Sequence, residues 1–281
     1  MRIRESPFRA EQKREIRRLL AIPEQPERFV SDKSRLEISA VRSALELPPL
    51  PYHRILGAGR WLAGGSISRW LHNGGGEGQQ AGDYDFFFLS LDELNALARD
   101  LLREGATMSG YVPFCRNAKE YVYRHFINRR IEGITDSGML DACGRLATIS
   151  DDDVRRLRLA YIEFLSPEND RLQLVSSCYR SPVDIISRFD FSVAQFIADD
   201  RYIYFGPRAW QDLIDGRFRL ARSNLPRAGH SFCRMAAYLR RGFRPYLKTV
   251  FLVSWLAAAN LITAPFRGSS IRSASWSDLF P

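Results

Sequence analysis

Gly64-Gly65-Ser66 is followed, past a glycine-rich stretch, by Asp83-Tyr84-Asp85 running into Phe86-Phe87-Phe88-Leu89. No other feature limits the possible folds of this chain as strongly. The first element reads as a tight backbone turn opening a helix, the second as a strand. Alternate side chains of a strand share a face, so Asp83 and Asp85 point the same way and Tyr84 the other. Two neighbouring carboxylates repel unless something positive lies between them. A divalent cation answers that need, and Mg²⁺ favours one or two carboxylates plus substrate phosphates over an all-protein cage. Gly64 and Gly65 let the backbone approach a phosphate, while Ser66 and a helix N-terminus can donate to it. The pairing therefore points to chemistry on a nucleotide.

Composition agrees without deciding. The 281 residues carry 41 Lys and Arg against 32 Asp and Glu, a net charge of +9 that favours polyanionic partners. Much of the excess is Arg, whose planar fork suits phosphate. Cys115, Cys143, Cys178 and Cys233 lie far apart without a C-x-x-C pair, as expected of reduced, partly buried thiols in a cytosolic protein. Four histidines show no metal spacing. The N-terminus lacks an apolar signal core, so a cytoplasmic location is expected. Val250 to Phe266 is apolar, but Ser254, Asn260 and Pro265 interrupt it, favouring a buried C-terminal helix over a membrane span.

Periodicity predicts helices over Ala10–Leu20 and Ser31–Leu45, then an extended link at Pro48, Pro49 and Pro51. Next come a short stretch over Ile55–Ala63 that is strand-like or irregular, a helix over Ser66–His72, a flexible loop over Asn73–Gly82 and a strand over Asp83–Leu89. Ser90 caps a helix over Leu91–Glu104, with Glu93 at capping-box spacing. Strands are expected around Glu120–Phe126, and Leu159–Leu165 and Leu172–Cys178 form a hairpin across Pro-Glu-Asn-Asp. Ser181 caps a helix over Pro182–Arg188. Phe189–Ile197 reads as a strand that Arg201–Phe205 pairs with, and the pattern then turns helical over Trp210–Asp215, Gly229–Arg240 and Tyr246–Leu261.

The turn Leu62-Ala63-Gly64-Gly65-Ser66 and the strand Asp83-Tyr84-Asp85-Phe86-Phe87-Phe88 resemble those of the DNA polymerase β-like nucleotidyltransferase superfamily. Pro182–Phe191 and Arg234–Phe243 look, more loosely, like segments of uncharacterised viral and phage-type members. The likeness spans roughly residues 55 to 245, and the interval between turn and strand is longer than many members show.

The resemblance implies an α+β fold: a nucleotidyltransferase-like mixed sheet flanked by helices, with a C-terminal helical region. The expected division is an N-terminal helical segment (1–54), a catalytic core (55–206), a helical region (207–265) and a loosely ordered tail (266–281). It also implies a third carboxylate on a later strand. Asp190 is preferred, with Glu163 and then Asp184 as alternatives, any of which could instead be a solvent-side residue of a half-exposed sheet.

Asp83, Asp85 and Asp190 would then hold Mg²⁺ or Mn²⁺, and Gly64, Gly65 and Ser66 would hold phosphates. Arg234 or Arg240 of the rear helix would offset phosphate charge, with Lys119, Arg124 and Arg180 as further basic candidates. The implied reaction transfers a nucleotidyl group from a nucleoside triphosphate to a hydroxyl, possible acceptors including RNA or another nucleic acid. Two other readings stay open: a catalytically silent nucleotide- or RNA-binding module of the same fold, and a membrane-associated protein. The latter would use Val250–Phe266 with Arg240, Arg241, Arg244 and Lys248 as a basic flank.

Overall fold

The computed structural model describes residues 8–20, 35–73, 83–113, 159–221 and 228–263. Its centre is an eight-stranded mixed sheet in the order β1-β8-β7-β2-β3-β6-β5-β4. The strands are β1 (Arg35–Glu37), β2 (Arg60–Ala63), β3 (Asp83–Phe88), β4 (Thr107–Pro113), β5 (Leu159–Leu165), β6 (Arg171–Cys178), β7 (Phe196–Ala198) and β8 (Tyr202–Phe205). Only β3 and β6 run parallel within it; every other neighbouring pair is antiparallel. Helices α1 (Ala10–Leu19), α2 (Ile38–Leu45), α3 (Gly65–Asn73), α4 (Leu91–Arg103), α5 (Pro182–Ile186) and α6 (Ala209–Ile214) surround it. Behind it lie α7 (Ala228–Arg240) and α8 (Leu247–Thr263), joined to the core through the short parallel pair β9 (Arg217–Phe218) and β10 (Arg244–Pro245). The α+β class with a mixed, helix-flanked sheet is as the sequence led us to expect.

The two sheet faces differ in chemistry because β3 does. Phe86 and Phe88 point to one face and are fully buried with Leu62, Leu172, Leu174, Ile162 and Phe164. Each such ring contributes about 1.5–3 kcal/mol over an exposed one. Helix α4 supplies Leu94, Leu97, Ala98 and Leu101 to the same core, at helical spacing. Ser90 caps it by accepting from the Glu93 N–H at 3.3 Å, while the Glu93 carboxylate pairs with Arg60 at 2.6 Å. Asp83, Asp85 and Phe87 consequently lie on the opposite face.

Several expectations need correction. Within the helix expected over Ser31–Leu45, residues 31–34 lie outside the described residues, and Arg35–Glu37 is instead strand β1, which pairs with β8 before α2 begins at Ile38. Phe189–Ile197 is not one strand: Ser192–Ala194 is a 3₁₀ turn and only Phe196–Ala198 joins the sheet. Ser192, Val193, Ala194 and Gln195 are all buried in succession, which no strand with one solvated face permits. Over residues 247–255, helix α8 buries one face: Thr249 and Val253 turn inward, while Leu247, Phe251 and Trp255 are exposed. Among the described residues, no helix is long and apolar enough to cross a membrane. Cys178 is exposed and Cys233 half-buried, whereas Cys115, Cys143, Lys119, Arg124, the glycine-rich loop 74–82 and the strands expected at 120–126 lie outside the described residues.

Candidate active site

The turn between β2 and α3 forms as its glycines dictate. Gly64 adopts φ +80°, a region L side chains rarely occupy, and its N–H donates to the Phe196 carbonyl at 2.9 Å. A Cβ added there would meet the Phe189 ring at 3.1 Å and lie 3.8 Å from Asp85 Oδ2. Gly64→Ala should therefore destabilise the protein by about 1–2 kcal/mol from the backbone alone, with Phe189 displaced as well. Chemical denaturation would measure the loss, and an unchanged midpoint would contradict this account of the turn.

Register brings the acid pair to this turn. Ala63 of β2 lies opposite Asp85, so Gly64 and Gly65 continue directly past the carboxylate. Asp83 is exposed and Asp85 half-buried. Burial raises the Asp85 carboxyl to about 6, and the neighbouring charge of Asp83 adds to the rise, while Arg234 and Arg69 oppose it. The two arginines thus offset only part of the effect of burial and of the Asp83 charge.

Two arginines converge on the turn that sequence reasoning left out of the site. A Cβ on Gly65 would lie 3.6 Å from Arg69 Nη1 and 3.9 Å from Arg241 Nη1. Arg69 also donates through Nη2 to the Asp83 carbonyl at 3.1 Å. Burial lowers the Arg241 pKa, and the like charges of Arg69 and Arg240 lower it further, against the opposing influence of Tyr238 and Asp83. Helix side chains lean towards the N-terminus, so an arginine four residues after Gly65 reaches back over the first turn. That spacing could have identified Arg69. Arg241 follows α7, and no local pattern announces its approach.

The remaining predicted residues are distributed unevenly. Ser66 is only 5% exposed and its hydroxyl donates to the Ala63 carbonyl at 3.3 Å, leaving backbone N–H groups as the turn's outward donors. Asp190 lies between α5 and the 3₁₀ turn, not on a strand as expected. Its Oδ2 accepts from Ser231 Oγ at 2.7 Å and pairs with Arg234 Nη1 at 3.0 Å. Arg234 thus pairs with Asp190, and its charge also lowers the Asp85 pKa. Arg240 is exposed and contributes through its charge beside Arg241.

On β6, Gln173 is the residue in register with Asp85, and Glu163 of β5 is in register with Gln173 one strand further on. Glu163 accepts from Ser109 Oγ at 3.0 Å. Asp184 lies in the first turn of α5, where its N–H donates to Ser181 Oγ at 3.3 Å. Arg180 is exposed at the end of the β6 segment. Among the described residues, no group of three His, Cys, Asp or Glu side chains is gathered to hold a metal. A cleft of about 570 Å³ between α1 and α2, lined by Arg9, Glu15 and Glu46 among others, contains none of these site residues.

Fold and site together define a mixed-sheet α+β protein that sets an acid pair against a glycine turn ringed by arginines. Residues 50–215 match the model of the Gabija anti-defense 2 (Gad2) family, and the chain belongs to that family. Comparison with curated protein sequences gives no match. Among solved structures, similar chains include the Thermotoga maritima CCA-adding enzyme complexed with tRNA, at 12% identity and a TM-score of 0.45 over 79% of this chain and 45% of that one. A CCA-adding enzyme with ATP gives 12% identity and a TM-score of 0.47, over 83% of this chain and 47% of the other. An apo tRNA-processing enzyme gives 15% and 0.39, over 74% and 44%. The chain spans about half the length of these structures.

Proposed function

We propose that this protein is a metal-dependent nucleotidyltransferase that moves a nucleotidyl group from a nucleoside triphosphate to an acceptor hydroxyl, releasing pyrophosphate. The family description, Gabija anti-defense 2, supports the Gabija defence as the system against which that activity works. The observation that carries the reading is the convergence of Arg69 and Arg241 on Gly65, beside Asp83 and Asp85. Two guanidinium groups held at a helix N-terminus are costly without an anion, and a triphosphate chain supplies one.

The residues fit Mg²⁺ or Mn²⁺ as a two-carboxylate site. Asp83 and Asp85 share a face and offer hard oxygen donors, and Asp85 is held up at about 6 first by burial and then by the charge of Asp83, which a cation would offset. When bound, such a cation neutralises charge on the reacting phosphate and makes the acceptor hydroxyl more acidic. The chain's own residues position the substrate. The Gly64 N–H is taken by the Phe196 carbonyl, so the backbone N–H groups of Gly65 and Ser66 bind phosphate oxygens, and Arg69 and Arg241 fix their direction. Arg234 is shared between Asp190 and the phosphates. Asp190 joins the carboxylates as a third ligand only if Arg234 releases it. Such catalysis is mostly positioning and electrostatics.

A second reading is supported by the same ion pair. With Asp190 engaged by Arg234 and Gln173 standing beside Asp85, the site also suits a module that binds nucleotide without transferring it. Incubating the protein with each labelled nucleoside triphosphate and Mg²⁺ or Mn²⁺, with and without RNA, separates the two. Labelled product and pyrophosphate that disappear in Asp83→Ala support transfer. Tight nucleotide binding with no pyrophosphate release supports the silent module, and no binding at all would defeat both.

A further inference from the structure

We infer that the face of the sheet bearing the acid pair continues into a stacking platform for a nucleobase, formed by Phe87, Tyr179 and Phe189; this rests on the nucleotide reading of the turn. Phe87 follows Asp83 and Asp85 on the same face of β3, two residues beyond Asp85. Tyr179 is brought alongside because its N–H donates to the Phe88 carbonyl at 2.8 Å, prolonging the β3–β6 pairing. Phe189 reaches the same place from the segment after α5.

Ring centroids are 5.6 Å apart for Phe87 and Tyr179 and 6.3 Å for Phe87 and Phe189, each pair meeting at 67°. The edge-to-face contact between Phe87 and Phe189 does not use both faces of these two rings, so a flat ligand can still stack on them. All three rings are half-buried, whereas Trp61, Ala63, Ile185 and Ile197 beneath them are closed off. The platform thus has a packed floor and an accessible aromatic surface.

Its place beside the turn selects the ligand. The Phe189 ring is the nearest neighbour of the Gly64 Cβ position, at 3.1 Å, and Asp85 Oδ2 follows at 3.8 Å. In a nucleotide one ribose separates the base from the first phosphate. A molecule with its phosphates at Gly64 and Gly65 therefore carries its base into reach of these rings. Base-on-aromatic stacking tolerates any base, because every base has a π-face. The base belongs either to the donor triphosphate or to a nucleotide acceptor.

Calorimetric titration in Mg²⁺ with ATP, with inorganic tripolyphosphate, and with AMP added over saturating tripolyphosphate tests this and identifies the source. Phe189→Leu and Tyr179→Leu, read independently, remove a ring while keeping apolar volume. If the donor's base stacks, the wild-type protein binds ATP about tenfold or more tightly than tripolyphosphate, and each variant loses most of that difference while binding tripolyphosphate as before. If the acceptor's base stacks, ATP and tripolyphosphate bind alike, but AMP binds the wild-type complex and not the variants. Equal affinities together with no ring-dependent AMP binding would overturn the platform and leave the phosphate site standing. Failure of both ATP and tripolyphosphate to bind would overturn the nucleotide reading and the platform with it.

Discussion

Asp85→Asn is expected to abolish nucleotidyl transfer while making the metal-free protein more stable at neutral pH. The two effects have one cause. The Asp85 carboxyl sits at about 6 in the fold against an ordinary value of 3.8, so the folded state holds its proton more tightly than the unfolded chain does. Its contribution is most favourable when the group is protonated, declines as pH rises from about 4 to 6, and remains as a constant penalty above that. Asn is neutral throughout. Allowing for the part of the carboxyl that solvent reaches, the gain at pH 7 is about 1–2 kcal/mol. It should vanish below pH 4. Thermal melts of both proteins across that range, in chelator, give the check; an Asn variant less stable than wild type at pH 7 would contradict it. A pair kept despite such a penalty fits a site awaiting a cation.

The largest loss of stability is expected from Arg219→Ala. Asp212 is completely buried in α6, and Arg219 reaches it through Nε at 2.8 Å and Nη2 at 2.6 Å, while Ser192 Oγ donates to the same carboxylate. Removing Arg219 leaves that carboxylate buried without its counter-charge, a cost of about 3–5 kcal/mol. Replacing both partners, as Asp212→Leu with Arg219→Met, should recover most of it. Denaturant midpoints of the single and double variants decide. The damage would also reach the candidate site, since the Ser192 N–H donates to the Arg219 carbonyl and the Ala221 N–H to the Asp190 carbonyl. Asp190 is held in place by that second strut.

What the sequence disclosed followed how local each determinant is. Asp83–Phe88, the Ser90 cap and the β5–β6 hairpin were legible because alternation, capping chemistry and a turn sit within a few residues. The α3 turn was legible because two glycines admit few other conformations. Phe189–Ile197 misled because its alternation is real, yet its backbone is held by the distant residues Arg219, Leu220 and Ala221. Arg35–Glu37 misled similarly: its strand exists only against Tyr202–Tyr204. Asp190 was recognised as a notable carboxylate, but its partners Ser231 and Arg234 lie 41 and 44 residues away, where no spacing rule applies. The acid pair was found by its repulsion, and the arginines that answer it went partly unseen.

The parallel pairing of β9 with β10 has a consequence for when this protein acquires its chemistry. The carboxylates and the glycine turn belong to the stretch that the family match covers, but Arg234 and Arg241 come after residue 215. Their positions depend on Arg244 and Pro245 returning to pair with Arg217 and Phe218. During synthesis the sheet can form first, carrying an acid pair with Arg69 alone beside it, and the cationic half arrives only when the rear helices dock. On the proposed reading, a chain that lacked the rear helices would keep the acid pair and the turn but lose Arg234 and Arg241 as partners for a triphosphate. If the proposed reading holds, the rear helices are the clasp that arms the site.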